Sequence, residues 1–307
     1  MRTLAGIVAG LLVGLWGTAA EPAADTAYTA GKWLACADYS QGKVFLIGPD
    51  GTVRWQAPAP SCDDIWALAN GNLLFVTGHG VREATRAGAT VFEYKTTSEV
   101  YGCQRLENGN TFVAECNAGR LLEVAPDGKV AKELRLLPAG KDGGHVYMRN
   151  ARRLPDGHLL VAHSGAEVVR EYDADGKVVW EVAAPGGPHS AVRLPDGHTL
   201  IATGDKQKDP RLIEVDAAGK VVWELSNRDL PGEPLRFLSG FQRLPNGHTL
   251  ISNWLGHGQL GKAPHLLEVT PDKRVVWTYA NHTDFRTIAS VMVLDENGNA
   301  PTGEALH

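Results

Sequence analysis

The sequence predicts an all-β protein: a six-bladed β-propeller of four-stranded antiparallel blades, closed by N- and C-terminal strands sharing one blade. Three observations predict it. A turn of the form (N/D)-G recurs at Gly71, Gly109, Gly157, Gly197, Gly247 and, more loosely, Gly298, at intervals of 38, 48, 40, 50 and 51 residues. Each turn joins two short runs rich in Leu, Val and Ile, the mark of a β-hairpin. A second turn follows in most copies and leads into an outer strand, as in "DADGKVVW" and "DAAGKVVW". Two hairpins per unit make four strands, and four-stranded units of about 40–50 residues point to a propeller.

The elements follow in chain order. Arg2 precedes the apolar stretch "LAGIVAGLLVGLW", and small residues follow at "GTAAEPAA". The stretch is short for a membrane helix, which needs roughly 20 residues. A charged start, a short apolar centre and a small-residue exit describe a secretory signal peptide. Residues 1–20 are expected to be removed, residues 21–30 to form a flexible lead-in, and residues 31–307 to form a single propeller domain. The protein is expected to be exported to the periplasm or the exterior, with no membrane span in the mature chain.

The segment "KWLACADYSQGKVFLIGPDGTVRW" from Lys32 lacks an inner strand, whereas "TIASVMVLDENG" from Thr287 supplies an inner strand and a turn with no hairpin after it. The two fragments complete one blade, and closure removes the open edges of the array. Between them, Trp55, Trp180, Trp223 and Trp277 stand at one repeat position, with Lys132 in the same slot of another copy. The unit around "ATVFEYKTTSEVYG" departs from the pattern, since its second turn lacks "DG" and its outer strand is expected to be short.

These repeats carry a resemblance. "DADGKVVW" and "DAAGKVVW" resemble the tryptophan-docking repeat of PQQ-type propellers, and "RLPNGHTLI" is similar to repeats of bacterial arylsulfotransferase-like propellers. The resemblance covers nearly the whole mature chain and implies the architecture, with the tryptophans packed between neighbouring blades. Quinoproteins of this kind have eight blades and usually a vicinal disulfide beside the cofactor. No two cysteines are adjacent here, so PQQ binding is not implied and the cofactor stays unassigned. The catalytic histidine of arylsulfotransferases has no single match in this chain.

Composition narrows the partners. A net charge of −5 with no basic run argues against a nucleic-acid surface. Cys36, Cys62, Cys103 and Cys116 would face an oxidising compartment; they allow one or two disulfides or simply buried thiols. The chain is expected to act as a monomer on a small polar molecule or saccharide.

Strand order places the site. In a blade a–b–c–d, the repeated "LPDGH" and "DADGK" turns are the a–b and c–d turns of one face. They are uniform, and His158, His198 and His248 within them read as exposed turn residues. The opposite face carries the divergent b–c loops, among them "GHGVREATRAGA" and "NWLGHGQLGKAPH", and the d–a connections between blades. Binding groups gather on such loops. That face and the strand ends beside it hold Asp38, Asp63, Asp64, Glu115, His145, Arg149, Asn150, His163, His189, Asn253, Trp254 and His257.

His145 and His189 open consecutive inner strands after glycine-rich turns, and with Glu115 they are the candidate acid–base groups. Arg149, Asn150, His163, Asp38, Asp63, Asp64 and Asn253 are the candidate polar wall, and Trp254 with His257 the stacking surface for a sugar ring. Each has a plainer reading: His163 and His79 as hydrogen-bonded loop histidines, Asp63 and Asp64 as turn caps, Glu115 as a structural group. Histidines with Glu115 would also suit zinc or manganese. They come from different blades without a local spacing, so no metal is assigned. Three readings follow: a binding funnel, a lyase or hydrolase on the same groups, and an interaction scaffold without chemistry.

Overall fold

The computed structural model describes residues 31–204, 209–302 and 306–307, so the expected signal peptide and lead-in lie outside the described residues. The first blade is built from β1 (Leu34–Asp38), β2 (Lys43–Ile47) and β3 (Val53–Pro58). β4 (Ile65–Ala67), β5 (Leu73–Val76), β6 (Gly80–Ala84) and β7 (Thr90–Lys95) form the second. The third holds β8 (Val100–Arg105), β9 (Thr111–Glu115), β10 (Arg120–Val124) and β11 (Val130–Arg135). The fourth holds β12 (Ala151–Arg153), β13 (Leu159–His163), β14 (Val168–Tyr172) and β15 (Val178–Ala183). β16 (Pro188–Arg193), β17 (Thr199–Thr203), β18 (Leu212–Val215) and β19 (Val221–Leu225) follow, then β20 (Leu238–Arg243), β21 (Thr249–Asn253), β22 (Leu266–Val269) and β23 (Val275–Tyr279). The last strand, β24 (Ile288–Val293), joins the first blade in the order β24-β1-β2-β3.

Closure is therefore as the sequence predicts. Cys36 lies opposite Val291 and Ala35 opposite Met292, so the two ends of the chain share one ladder. The inner strands β24, β4, β8, β12, β16 and β20 surround the axis. They and their b-strand neighbours are buried almost throughout, which explains their continuous apolar runs. The outer strands are the exposed ones, with Val178, Val179, Val221, Val222, Val275 and Val276 open to solvent.

Of the departure expected in the second unit, the turn without "DG" stands and the short outer strand is corrected. Its outer strand β7 is six residues long, and its second turn closes on Gly88 with a φ of 87°. The segment "GHGVREATRAGA" is mostly β6 and that turn, with only a tight b–c hairpin at its start. Gly88 is preceded by Ala87 where three other copies have Asp, but Ala218-Gly219 closes the same turn in the fifth blade, and the backbone needs only the positive φ that glycine gives.

Blade seams explain why the turn residues repeat. A glutamate on five of the six c strands accepts from its own a–b turn and from the next blade, in four cases from an arginine of that blade's inner strand. Asn72 donates to Glu83 (2.6 Å), which also receives Arg105 (2.5 Å). His158 and Arg193 meet Glu171 at 2.6 and 2.5 Å, and His198 and Arg243 meet Glu214 at 2.9 and 2.8 Å. Arg153 meets Glu123 at 2.9 Å, while Glu268 takes His248 (2.7 Å) and Lys32 (2.7 Å). Where the first blade meets the second, Leu46 stands in place of the glutamate and Ala67 in place of the arginine, and both lie in an apolar cluster. His158, His198 and His248 are thus half-buried seam residues rather than free turn residues. Trp180 and Trp223 add to two seams, donating to the carbonyls of Ala217 (3.0 Å) and Pro271 (2.8 Å) in the following blade.

These histidines set a pH dependence. The hydrogen bonds to Glu171 and Glu214 raise the pKa values of His158 and His198 above 6.5. Their stabilisation is complete below the unfolded pKa and is lost as pH rises through the folded one. Burial acts oppositely on His163, held down at about 4, and on His307, held down at about 3. Those two stabilise above the unfolded value, and the contribution is lost as pH falls towards 4, at up to about 1.4 kcal/mol per pH unit for each proton. Stability measured by urea titration is expected to peak near pH 6.5. The His158→Gln/His198→Gln variant is expected to lose the alkaline decline and keep the acid one; an unchanged alkaline limb refutes the assignment.

Candidate functional site

Aligning the six copies on the leucine that follows each inner strand (Leu68, Leu106, Leu154, Leu194, Leu244 and Leu294) exposes one position. Five residues before it stand Asp63, Tyr101, Arg149, His189, Ser239 and Ala289. The first five all line one cavity on the b–c and d–a face, together with Tyr39, His145, Phe237, Trp254 and His257. The repeat thus aims one side chain from each of five blades at the same space. The cavity measures ≈ 150 Å³.

A run of rings forms its wall. Tyr101 contacts His145 (centroids 5.6 Å) and His189 (6.4 Å) edge to face. His189 meets Phe237 at 5.3 Å, Phe237 meets Trp254 at 5.2 Å, and Trp254 meets Tyr39 at 6.3 Å and His257 at 4.9 Å. The guanidinium of Arg149, buried itself, lies 4.8 Å from the Tyr101 ring centre. This wall presents apolar ring edges with polar tips, the usual make-up of a small-molecule site.

Hydrogen bonds fix the two imidazoles. His189 Nδ1 lies 2.7 Å from the carbonyl of Ser239, which only accepts, so Nδ1 carries the proton and Nε2 is the lone-pair nitrogen of the neutral ring. His145 Nδ1 lies 2.9 Å from Glu99 Oε2 and 3.1 Å from the Tyr101 hydroxyl. A carboxylate at Nδ1 orients the ring and supports a proton there, again leaving Nε2 as the basic nitrogen. Burial and the charge of Asp63 push the Tyr101 phenol far up, so it stays protonated and can donate.

Of the residues expected in the site, Asp63, His145, Arg149, His189, Trp254 and His257 meet around this cavity. The others lie elsewhere. Glu115 is buried between the second and third blades, outside the lining of the axial cavity, accepting from the Tyr94 hydroxyl (2.7 Å) and pairing with Arg120 (2.8 Å). Asp38 accepts the main-chain N–H groups of Arg286 (2.7 Å), Thr287 (3.1 Å) and Gln41 (3.0 Å), and so ties the end of β1 to the approach to β24 within the closing blade. Asp64 is consumed by a bidentate pair with Arg152 at 2.7 and 3.0 Å and by the Cys103 N–H.

His163 spends both nitrogens, on the Tyr147 carbonyl and the Tyr172 hydroxyl, each at 2.8 Å. Asn150 is buried just along the chain from Arg149, and its N–H donates to the His189 carbonyl (3.1 Å). Asn253 clamps loops: its Oδ1 accepts from Arg236 N–H (2.7 Å) and its amide donates to the carbonyls of Pro234 (3.0 Å) and Pro264 (2.9 Å). The four cysteines are buried free thiols, which desolvation keeps protonated.

Tyr39, Glu99, Tyr101, Phe237 and Ser239 were not expected. The repeat alignment would have found Tyr101 and Ser239; nothing local marks the others. The groups that bring three metal-ligating side chains together among the described residues, Asp156–His158–Glu171 and Asp196–His198–Glu214, lie in the seams of the opposite face, with each glutamate already paired to an arginine.

The fold and repeats define a class: the chain is a six-bladed β-propeller whose repeats resemble those of PQQ-type propellers. Residues 149–253 match a family model described as outer membrane protein assembly factor BamB. Among solved structures, a protein of unknown function from Bacteroides caccae is similar over 86% of this chain and 99% of its own, at 25% identity and a TM-score of 0.77. Virginiamycin B lyase from Staphylococcus aureus is similar over 84% of this chain and 87% of its own, at 16% identity and a TM-score of 0.56. A catalytically inactive histidine-to-alanine variant of that lyase, solved with quinupristin, gives the same TM-score at 16% identity, over 83% of this chain and 86% of its own. The lyase likeness is one of fold. No curated protein matches the sequence.

Proposed function

We propose that this protein is exported and binds a small polar ligand, a saccharide in the first instance, in the axial cavity. The convergence of Asp63, Tyr101, Arg149, His189 and Ser239 from five successive blades on one ring-walled space carries the reading. A cavity of about 150 Å³ takes one six-membered ring, whereas drug-sized ligands fill about 300–1,000 Å³. Size therefore limits this space to a single sugar-sized unit. Its walls suit that unit: ring faces for C–H stacking, and carboxylate, guanidinium, imidazole and hydroxyl groups for hydroxyls.

The hydrogen bonds joining Glu99, His145 and Tyr101 favour a second reading, a lyase or hydrolase using the same cavity. There His145 Nε2 would take or give the proton while Glu99 holds the ring.

A panel of monosaccharide glycosides titrated calorimetrically tests the first reading. His189→Ala and Trp254→Ala are expected to weaken binding at least about tenfold, while the folded fraction by circular dichroism stays that of the wild type. If no glycoside binds, or both variants bind as the wild type does, the cavity is not a sugar site. Turnover in the same panel that drops about a hundredfold or more in His145→Ala would select the second reading. Export is tested separately, by sequencing the N-terminus of the secreted chain.

A further inference from the structure

The axial cavity has a neighbour. A cleft of ≈ 360 Å³ opens between the fifth and sixth blades, lined by Asp209, Asn227, Arg228, Glu233, Arg236 and Gln259 among others. Phe237, Trp254 and His257 line both spaces. The two differ in chemistry: the axial cavity is walled mainly by rings, the cleft mainly by charged and amide side chains and main chain.

The cleft is preformed. Asn227 clasps Leu235 with both ends of its amide, at 2.8 and 3.0 Å. Arg236 donates to the carbonyls of Glu233 (2.6 Å), Leu235 (3.0 Å) and Lys262 (3.2 Å), spanning from one loop to the next. The Asn253 clamp ties the same two loops to the end of β21. Groups held in place by other groups lose little freedom when a ligand arrives.

The shared wall is equally fixed. Trp254 lies over the main chain of Gly256, where a Cβ would come within 1.8 Å of Cη2. His257 follows with a φ of 51°, a turn that brings its ring beside the indole. Gly256 is thus the positioning residue for the wall between the two spaces.

We propose that the ligand has at least two units, one ring in the axial cavity and a second, more polar unit in the blade 5–6 cleft, with Trp254 against both: an oligosaccharide rather than a free monosaccharide. This rests on the saccharide reading above. The cleft offers Arg228, whose side chain is 87% exposed, and Gln259 as hydrogen-bonding groups that the clamps do not use.

Matched pairs of methyl glycosides, mono- and disaccharide in the gluco, galacto and manno series, separate the two ideas by calorimetric titration. In the wild type the disaccharide of the preferred series is expected to bind at least about tenfold more tightly than its monosaccharide. Arg228→Ala/Gln259→Ala is expected to erase that gain and leave monosaccharide affinity unchanged. Gly256→Ala, which displaces the indole, is expected to weaken both ligands. Equal affinity for the two lengths in the wild type, or a length gain that survives the double substitution, overturns the two-unit ligand while leaving the saccharide reading standing. Failure of every mono- and disaccharide to bind overturns both.

Discussion

A chain truncated after Arg286 is expected to show no cooperative unfolding transition at 25 °C. The cut removes β24, whose Ile288, Val291 and Met292 are buried against the first, second and sixth blades. Each such side chain contributes about 1.5–3 kcal/mol on burial. Three together reach roughly 5–9 kcal/mol, against a total stability of about 5–15 kcal/mol for an ordinary domain. The loss also strips the ladder from β1 and leaves that strand as an open edge. The cut further takes away Leu306, whose carbonyl accepts from Arg243 N–H (2.9 Å), and His307, which sits 4.0 Å from the Trp66 ring at the axis. Urea curves of the intact and truncated chains decide the matter. Superimposable transitions would mean that closure by β24 contributes nothing.

Replacing Arg152 alone is expected to lower the unfolding free energy by about 3–5 kcal/mol, because it leaves a buried carboxylate unpaired. Arg152 holds Asp64 through two nitrogens, donates Nε to the main-chain oxygen of His307 (2.7 Å), and lies 5.1 Å from the Trp66 ring centre. Asp64 and Arg152 are both almost fully buried. In Arg152→Ala the carboxylate keeps the hydrogen bond from the Cys103 N–H, too little to balance its desolvation. Removing both charges together, as Asp64→Leu/Arg152→Met, is expected to recover a large share of the loss, since no unpaired charge remains. Urea denaturation of the three variants gives the coupling. An Arg152→Ala effect below about 1 kcal/mol would show that water reaches the pair and that Asp64 is available to a ligand after all.

Much of the architecture was legible along the chain. The (N/D)-G turns mark hairpins because that backbone demands positive φ, and the apolar runs mark strands buried on both faces. The complementary fragments at Lys32 and Thr287 announced the shared blade. One irregular copy misled the reading, since Ala87-Gly88 stands where most of the other turns carry Asp-Gly. The face that carries the axial cavity was legible too, because topology alone assigns b–c and d–a connections to one side.

Which side chains remain available at the axis was not legible. Glu115, Asp38, Asp64, His163 and Asn253 all look like site residues, and each is consumed by partners that local spacing does not reveal: Tyr94, Arg286 and Thr287, Arg152, Tyr147 and Tyr172, and the loop carbonyls of Pro234 and Pro264. The sequence by itself determined the number of blades, their closure and the face that carries the divergent loops, because turns and strand periodicity are local and repeat. Only the tertiary structure decided that Asp63, Tyr101, Arg149, His189 and Ser239 share one cavity while their neighbours serve the seams. A buried polar group takes whichever partner the adjacent blade brings within about 3 Å, and that blade lies tens to hundreds of residues away in the chain.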